Sequence, residues 1–142
     1  MRLRTPAVPG SVESPRTLSP LEAGHELLLG SWAAVRWEYT CRDGARRVDV
    51  VVDLGGTVTL SITADSYVLS WVHGSDGAQS TGGTISVIGD DHIDFRPRSG
   101  DPERVDFRRA TGTLVLRSDS SSWDFDGRGE EAAAFSAVMV RL

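Results

Sequence analysis

Residues 57–72 read Thr57-Val58-Thr59-Leu60-Ser61-Ile62-Thr63-Ala64-Asp65-Ser66-Tyr67-Val68-Leu69-Ser70-Trp71-Val72. Val58, Leu60 and Ile62 alternate with Thr57, Thr59 and Ser61. Tyr67, Leu69 and Trp71 alternate with Ser66, Val68 and Ser70. Successive side chains on a strand point to opposite faces, so a period of two reads as two strands, each with one apolar face. Ala64-Asp65 between them is a turn signal, which makes the stretch a hairpin.

The same period runs on in both directions. Val48, Val50 and Val52 alternate with Arg47, Asp49 and Val51 upstream. Downstream come Ile85 and Val87, Ile93 and Phe95, Val105 and Phe107, Leu114 and Leu116, Trp123 and Phe125, and a last run from Ala133 to Leu142. Turn signals fall between the runs, at Asp43-Gly44, Gly55-Gly56, Asp76-Gly77, Gly89-Asp90-Asp91, Ser99-Gly100-Asp101, Thr111-Gly112 and Asp126-Gly127. About ten short strands at this spacing predict an all-β fold. No helix of useful length separates them, which disfavours a parallel α/β sheet. Short turns between neighbours make a meander, and a meander with one apolar face must close or pack on something. Closure removes the exposed edges, so the fold expected is an up-and-down antiparallel β-barrel of about 8–10 strands, with a two-sheet sandwich as the alternative.

With 142 residues the chain is one domain of ordinary size. Residues 1–19 hold Pro6, Pro9, Pro15, Gly10 and several Ser, and are expected to form a flexible arm, with the barrel domain over 20–142. Ser19-Pro20-Leu21-Glu22 has the order of a helix start, and Gly30 is placed to end a short helix before the first strand. All 15 basic residues are Arg, which excludes lysine Schiff-base chemistry. The net charge of −5 argues against a nucleic-acid surface. No apolar run approaches the ~18 residues of a membrane span. The single cysteine, Cys41, cannot form an internal disulfide. The basic start lacks an apolar signal segment, so the expected location is cytoplasmic.

Gly30-Ser31-Trp32 sits where the short helix gives way to the first strand, and Arg141 ends the last one. This resembles the lipocalin and calycin superfamily, in which a G-x-W motif opens the first strand and a basic residue from the last strand packs across the Trp ring. Leu28-Leu29-Gly30-Ser31-Trp32, Gly83-Thr84-Ile85-Ser86-Val87 and Trp123-Asp124-Phe125-Asp126-Gly127 are similar to small bacterial members. The resemblance covers residues 26–142 and implies a lipocalin-like barrel that binds a small hydrophobic molecule. Small bacterial barrels of this kind also include cyclases and isomerases of natural-product biosynthesis, acting without cofactor on polyene- or polyketide-like substrates. In those the cavity acts by proximity and orientation.

Inward aromatic residues of a small barrel either fill it or line a cavity. The expected ligand-binding set is Trp37, Tyr39, Tyr67, Leu69, Trp71, Phe95, Phe107, Arg109 and Trp123. Arg109 joins it because it falls in phase with Val105 and Phe107. Parity sets a conflict in the first strand. If Trp32 points inward, strict alternation puts Arg36 and Glu38 inside as a charged pair; a β-bulge between about Ala33 and Arg36 would instead put Trp37, Tyr39 and Cys41 inside. His73 ends a strand in phase with Tyr67 and Trp71. Arg36, Glu38 and His73 are therefore the weak catalytic candidates. His25, His73 and His92 lack metal-ligand spacing, so no metal and no cofactor are expected. Asp124 to Glu131 begins like a calcium loop but has Arg128 at a ligand position and reads better as a hairpin turn. Arg96, Arg98, Arg104, Arg108 and Arg109, interleaved with Asp94, Asp101, Glu103 and Asp106, read as cross-strand ion pairs on an outer face. A homodimer is left open, to be decided by any long exposed edge strand.

Overall fold

The computed structural model describes Met1, Leu3 and residues 28–74 and 77–142. Nine strands follow in chain order: β1 (Gly30–Cys41), β2 (Arg47–Asp49), β3 (Thr57–Ile62), β4 (Ser66–Val72), β5 (Ala78–Ile88), β6 (His92–Pro97), β7 (Glu103–Ala110), β8 (Thr113–Trp123) and β9 (Glu131–Arg141). From β3 to β9 each strand pairs antiparallel with the next, and β1 joins β3 to β9. Those eight strands close into a barrel with the alternating apolar residues inside. β2 is a short ninth strand laid along the second half of β1. Most of the expected helix over residues 20–29, all but Leu28 and Leu29, and most of the expected arm over 1–19 lie outside the described residues. Of that arm, Met1 is buried and Leu3 packs against the core.

β1 resolves the parity conflict with a bulge. Against β9, Trp32 faces Arg141 and Ala34 faces Met139; the register then slips between Ala34 and Arg36, and Trp37 faces Ala137. One extra residue flips the phase, so Trp32 and then Trp37, Tyr39 and Cys41 all point inward and are buried. Arg36 and Glu38 consequently lie outside. Glu38 is within 3.6 Å of both Arg36 and Arg47, a solvent-side cluster and not an interior charged pair.

At the bulge β1 also changes partner, from β3 at Gly30–Ala33 to β2 at Glu38–Thr40. The buried Asp49 carboxylate covers the junction. Its Oδ1 accepts hydrogen bonds from the backbone N–H of Trp37 (3.2 Å), Val51 (2.9 Å) and Val52 (3.1 Å). This turns the chain immediately after Asp49. The strand expected through Val50 and Val52 therefore stops there: Val50 is buried in the core, and Val52 is out in solvent. Asp49→Ala leaves three backbone donors unpaired, and a loss of about 2–3 kcal/mol is expected in chemical denaturation. A change under about 0.5 kcal/mol would mean that water replaces the carboxylate.

The outer face follows the charge pattern of the sequence. Arg104 stands opposite Asp94 across β6 and β7 and donates to it through Nε (2.8 Å) and Nη2 (3.1 Å). The guanidinium holds the Asp94 carboxyl below its usual range. An exposed pair of this kind contributes roughly 0–1 kcal/mol.

Candidate functional site

The two ends of the barrel differ. At the start of β1, the Trp32 indole is fully buried and its Nε1 donates to the Leu28 carbonyl at 2.9 Å. The Arg141 guanidinium lies 4.2 Å from the Trp32 ring centroid and donates through Nη1 to the Leu29 carbonyl at 2.6 Å. Gly30 has φ 116°, and a Cβ there would stand 3.0 Å from Arg141 Nη1. That position requires a glycine both for its backbone and for the room it leaves the guanidinium. Leu28, Trp32 and Arg141 thus close this end with a stacked cation on an apolar plug.

The other end carries the β1–β2, β4–β5, β6–β7 and β8–β9 connections. Here aromatic rings line the interior in contact with one another. Tyr39 stacks on Trp123 at 4.7 Å and 15°, and Trp37 tilts against Phe135 at 4.7 Å. Tyr67 meets the edge of Phe95 at 4.8 Å. The half-buried His73 lies 5.5 Å from Trp123 at the rim.

A polar chain runs through these rings. Trp37 Nε1 donates to the Tyr39 hydroxyl at 2.9 Å, and that hydroxyl donates to the Met1 carbonyl. The Met1 amino group in turn lies 2.9 Å from Glu103 Oε2. Glu103 faces Phe95 across β6 and β7 and shares the inward phase of Val105 and Phe107. Its side chain is only 11% exposed, so it is a carboxylate inside the barrel. The hydroxyls of Ser121 and Ser122, beside a second register slip in β8, are also buried and find no hydrogen-bond partner among the described residues.

Burial pushes both phenols well above their ordinary value of 10.0, and the nearby Glu103 charge pushes them further. Tyr39 and Tyr67 are the chain's two tyrosines, so the whole phenol titration reports this site. A group whose pKa is raised by folding adds stability below its unfolded value and loses it as pH rises past that value. The native protein is expected to show no phenolate absorbance through about pH 11, and then to gain that of both rings together as it unfolds. Ionisation of one ring near pH 10 in folded protein would mean that ring is exposed.

Of the ligand-binding residues expected from the sequence, the structure brings Trp37, Tyr39, Tyr67, Leu69, Trp71, Phe95 and Phe107 into the barrel interior, with Trp123 partly buried against Tyr39. Arg109 is a correction. It keeps the inward phase but stands at the end of β7, beside the Thr111-Gly112 turn, and is exposed. Glu103, read from the sequence as part of an outer ion-pair face, belongs inside; its alternation with Val105 and Phe107 was the available signal. Met1 carried no signal, because nothing periodic surrounds it.

Other polar clusters have structural explanations. Asp124 Oδ1 accepts from Gly127 N–H and Asp126 Oδ1 from Arg128 N–H, while Arg46 bridges Asp126 and Glu131. This is a hairpin turn held by its own carboxylates. The buried Cys41 thiol donates to Asp43 Oδ1 at 2.7 Å and accepts from Arg46 N–H. A cleft of about 230 Å³ on the outer face holds His92, Asp106, Arg108 and Arg117. There both His92 nitrogens are taken up, by Asp91 (2.7 Å) and Asp106 (2.9 Å). Among the described residues no three His, Cys, Asp or Glu side chains converge as a metal site.

No protein-family model matches the chain, and no curated protein matches it. Among solved structures it is similar to lobster apocrustacyanin A1, with 12% identity and a TM-score of 0.45 over 82% of this chain and 62% of that one. It is also similar to a redesigned β-barrel, with 13% identity and a TM-score of 0.45 over 88% of this chain and 99% of the design. The chain therefore spans a little under two thirds of the apocrustacyanin chain. Its own strand order and the closure of β1 on β9 make it a closed eight-stranded antiparallel barrel, with the Arg141 guanidinium stacked on Trp32 at one end.

Proposed function

We propose that the protein binds a small hydrophobic molecule inside the barrel, at the end lined by Tyr39, Trp71 and Trp123. The supporting observation is the position of Met1. It belongs to no strand, yet its side chain is only 4% exposed and sits among the interior residues. A residue from outside the strands is thus accommodated between them, which supports a barrel able to take a guest. The occupant is joined to the wall's polar groups through Tyr39 and Glu103. An apolar lining with a few placed polar groups is the usual make-up of a small-molecule site.

The test is a Nile red titration of the full chain, followed by dye emission and by quenching of tryptophan. Saturation near one equivalent is expected, with affinity falling about tenfold in Trp123→Ala, which removes the ring stacked on Tyr39. Absence of saturable binding would end this reading and leave a filled structural barrel. A second reading, cofactor-independent cyclisation or isomerisation of a polyene- or polyketide-like substrate, draws on Glu103, an interior carboxylate near two protonated phenols. Turnover of such a substrate that Glu103→Gln abolishes would favour it over simple binding.

A further inference from the structure

We propose that the molecule taken up by this barrel carries an ammonium group, held by Glu103 with the Tyr39 and Tyr67 hydroxyls beside it. The inference rests on the reading of the barrel as a small-molecule site and adds the charge of the ligand's head. A carboxylate that is only 11% exposed among Phe95, Val105 and other apolar residues is costly unless a cation faces it. The outer carboxylates have such cations on their own sheet: Asp94 has Arg104, and Glu38 has Arg36 and Arg47. Glu103 has no arginine within ion-pair distance among the described residues. Its partner is the amino group of Met1, an ammonium followed by an unbranched apolar side chain.

The structure thus displays the chemistry that satisfies the site. A cation lies at 2.9 Å from Glu103, a carbonyl accepts from Tyr39, and a flexible hydrophobic chain is packed in the core. An amphiphilic amine reproduces the first and last of these. A fatty acid of the same length would bring a second carboxylate against Glu103, and like charges at such a distance repel strongly in a dry interior. Tyr39 and Tyr67 remain neutral donors in this setting, so they add no competing charge.

Displacement of Nile red by decylamine, decanol and decanoate separates the possibilities. Decylamine is expected to displace the dye at a concentration at least about tenfold lower than decanol, with decanoate weakest. The chain's net charge of −5 attracts any amine to the surface. Glu103→Gln removes the interior carboxylate while leaving most of that surface charge, so in this variant, whatever its affinity for the dye, the ratio of decylamine to decanol displacement should fall to about one. If Nile red binds and decylamine is no better than decanol, the ammonium inference is wrong and the hydrophobic site stands. An undiminished preference in Glu103→Gln overturns the inference too, because it assigns the preference to the surface. If no dye binds, both readings fall. Should Glu103→Gln not fold, the wild-type complex with decylamine decides by NMR. Nuclear Overhauser contacts from the protons beside the ammonium to the Tyr39 and Tyr67 rings are expected. Contacts only to surface residues would overturn the inference.

Discussion

Trp32→Ala is expected to cost about 3–5 kcal/mol, the usual loss when a fully buried indole is truncated in a core. Against a total stability of roughly 5–15 kcal/mol, this takes a large share of what holds the barrel together. Three things go at once: the apolar plug at the closed end, the hydrogen bond to the Leu28 carbonyl, and the ring under Arg141. The stacked cation alone contributes roughly 0.5–2 kcal/mol, so Arg141→Met should cost distinctly less than Trp32→Ala. The double variant should then cost less than the sum of the two. Urea denaturation of the four proteins measures this. Strict additivity would mean that the guanidinium and the indole do not interact.

Gly83→Ala is expected to be the next most damaging change, at about 3 kcal/mol. A Cβ built at Gly83 would lie 2.0 Å from the Arg96 carbonyl oxygen and 2.8 Å from Pro97 Cα. Both obstacles are backbone and cannot rotate away, so β5 and β6 must separate to admit a methyl group. Gly82 is restricted from the other side, where a Cβ would stand 2.7 Å from the Tyr67 carbonyl oxygen. The pair lets β5 pass close to both neighbours where it curves round the barrel. Because Gly83 faces Tyr67 across β4 and β5, the variant should also loosen the Tyr67–Phe95 contact and change the near-ultraviolet circular dichroism of the folded fraction. A stability within about 0.5 kcal/mol of the wild type would contradict the close approach of the two strands.

Much of this architecture can be read from residue alternation. The apolar phase of β3 and β4 predicts their inward faces, and the turn signals place most of the connections. Even the bulge in β1 is legible, because Trp32 and the Trp37–Tyr39–Cys41 set cannot share one strict phase. What alternation does not carry is where a strand stops. Val48, Val50 and Val52 continue the pattern, but the Asp49 carboxylate captures the backbone donors that a longer β2 would have used. Nor does it say how deep a position lies. Glu103 and Arg109 share one phase on β7, yet one is enclosed and the other is in solvent, because the strand runs past the last buried layer before its turn. The interior position of Met1 is a long-range contact from a segment without periodicity, and no local pattern encodes it.

The central claim, that a small molecule and Met1 compete for one interior position, has a direct reporter in the chain's two methionines. Met1 sits among the aromatic residues near Tyr39, whereas Met139 is fully buried opposite Ala34 and Leu114. The measurement is the carbon–proton NMR spectrum of the two methyl groups during titration with Nile red. Ring currents from the packed aromatic residues should shift the Met1 methyl in the free protein. Saturating dye is expected to move it to the position of a solvent-exposed methionine and leave Met139 nearly unchanged. Dye binding that leaves the Met1 methyl where it was would place the ligand elsewhere on the molecule and contradict the claim.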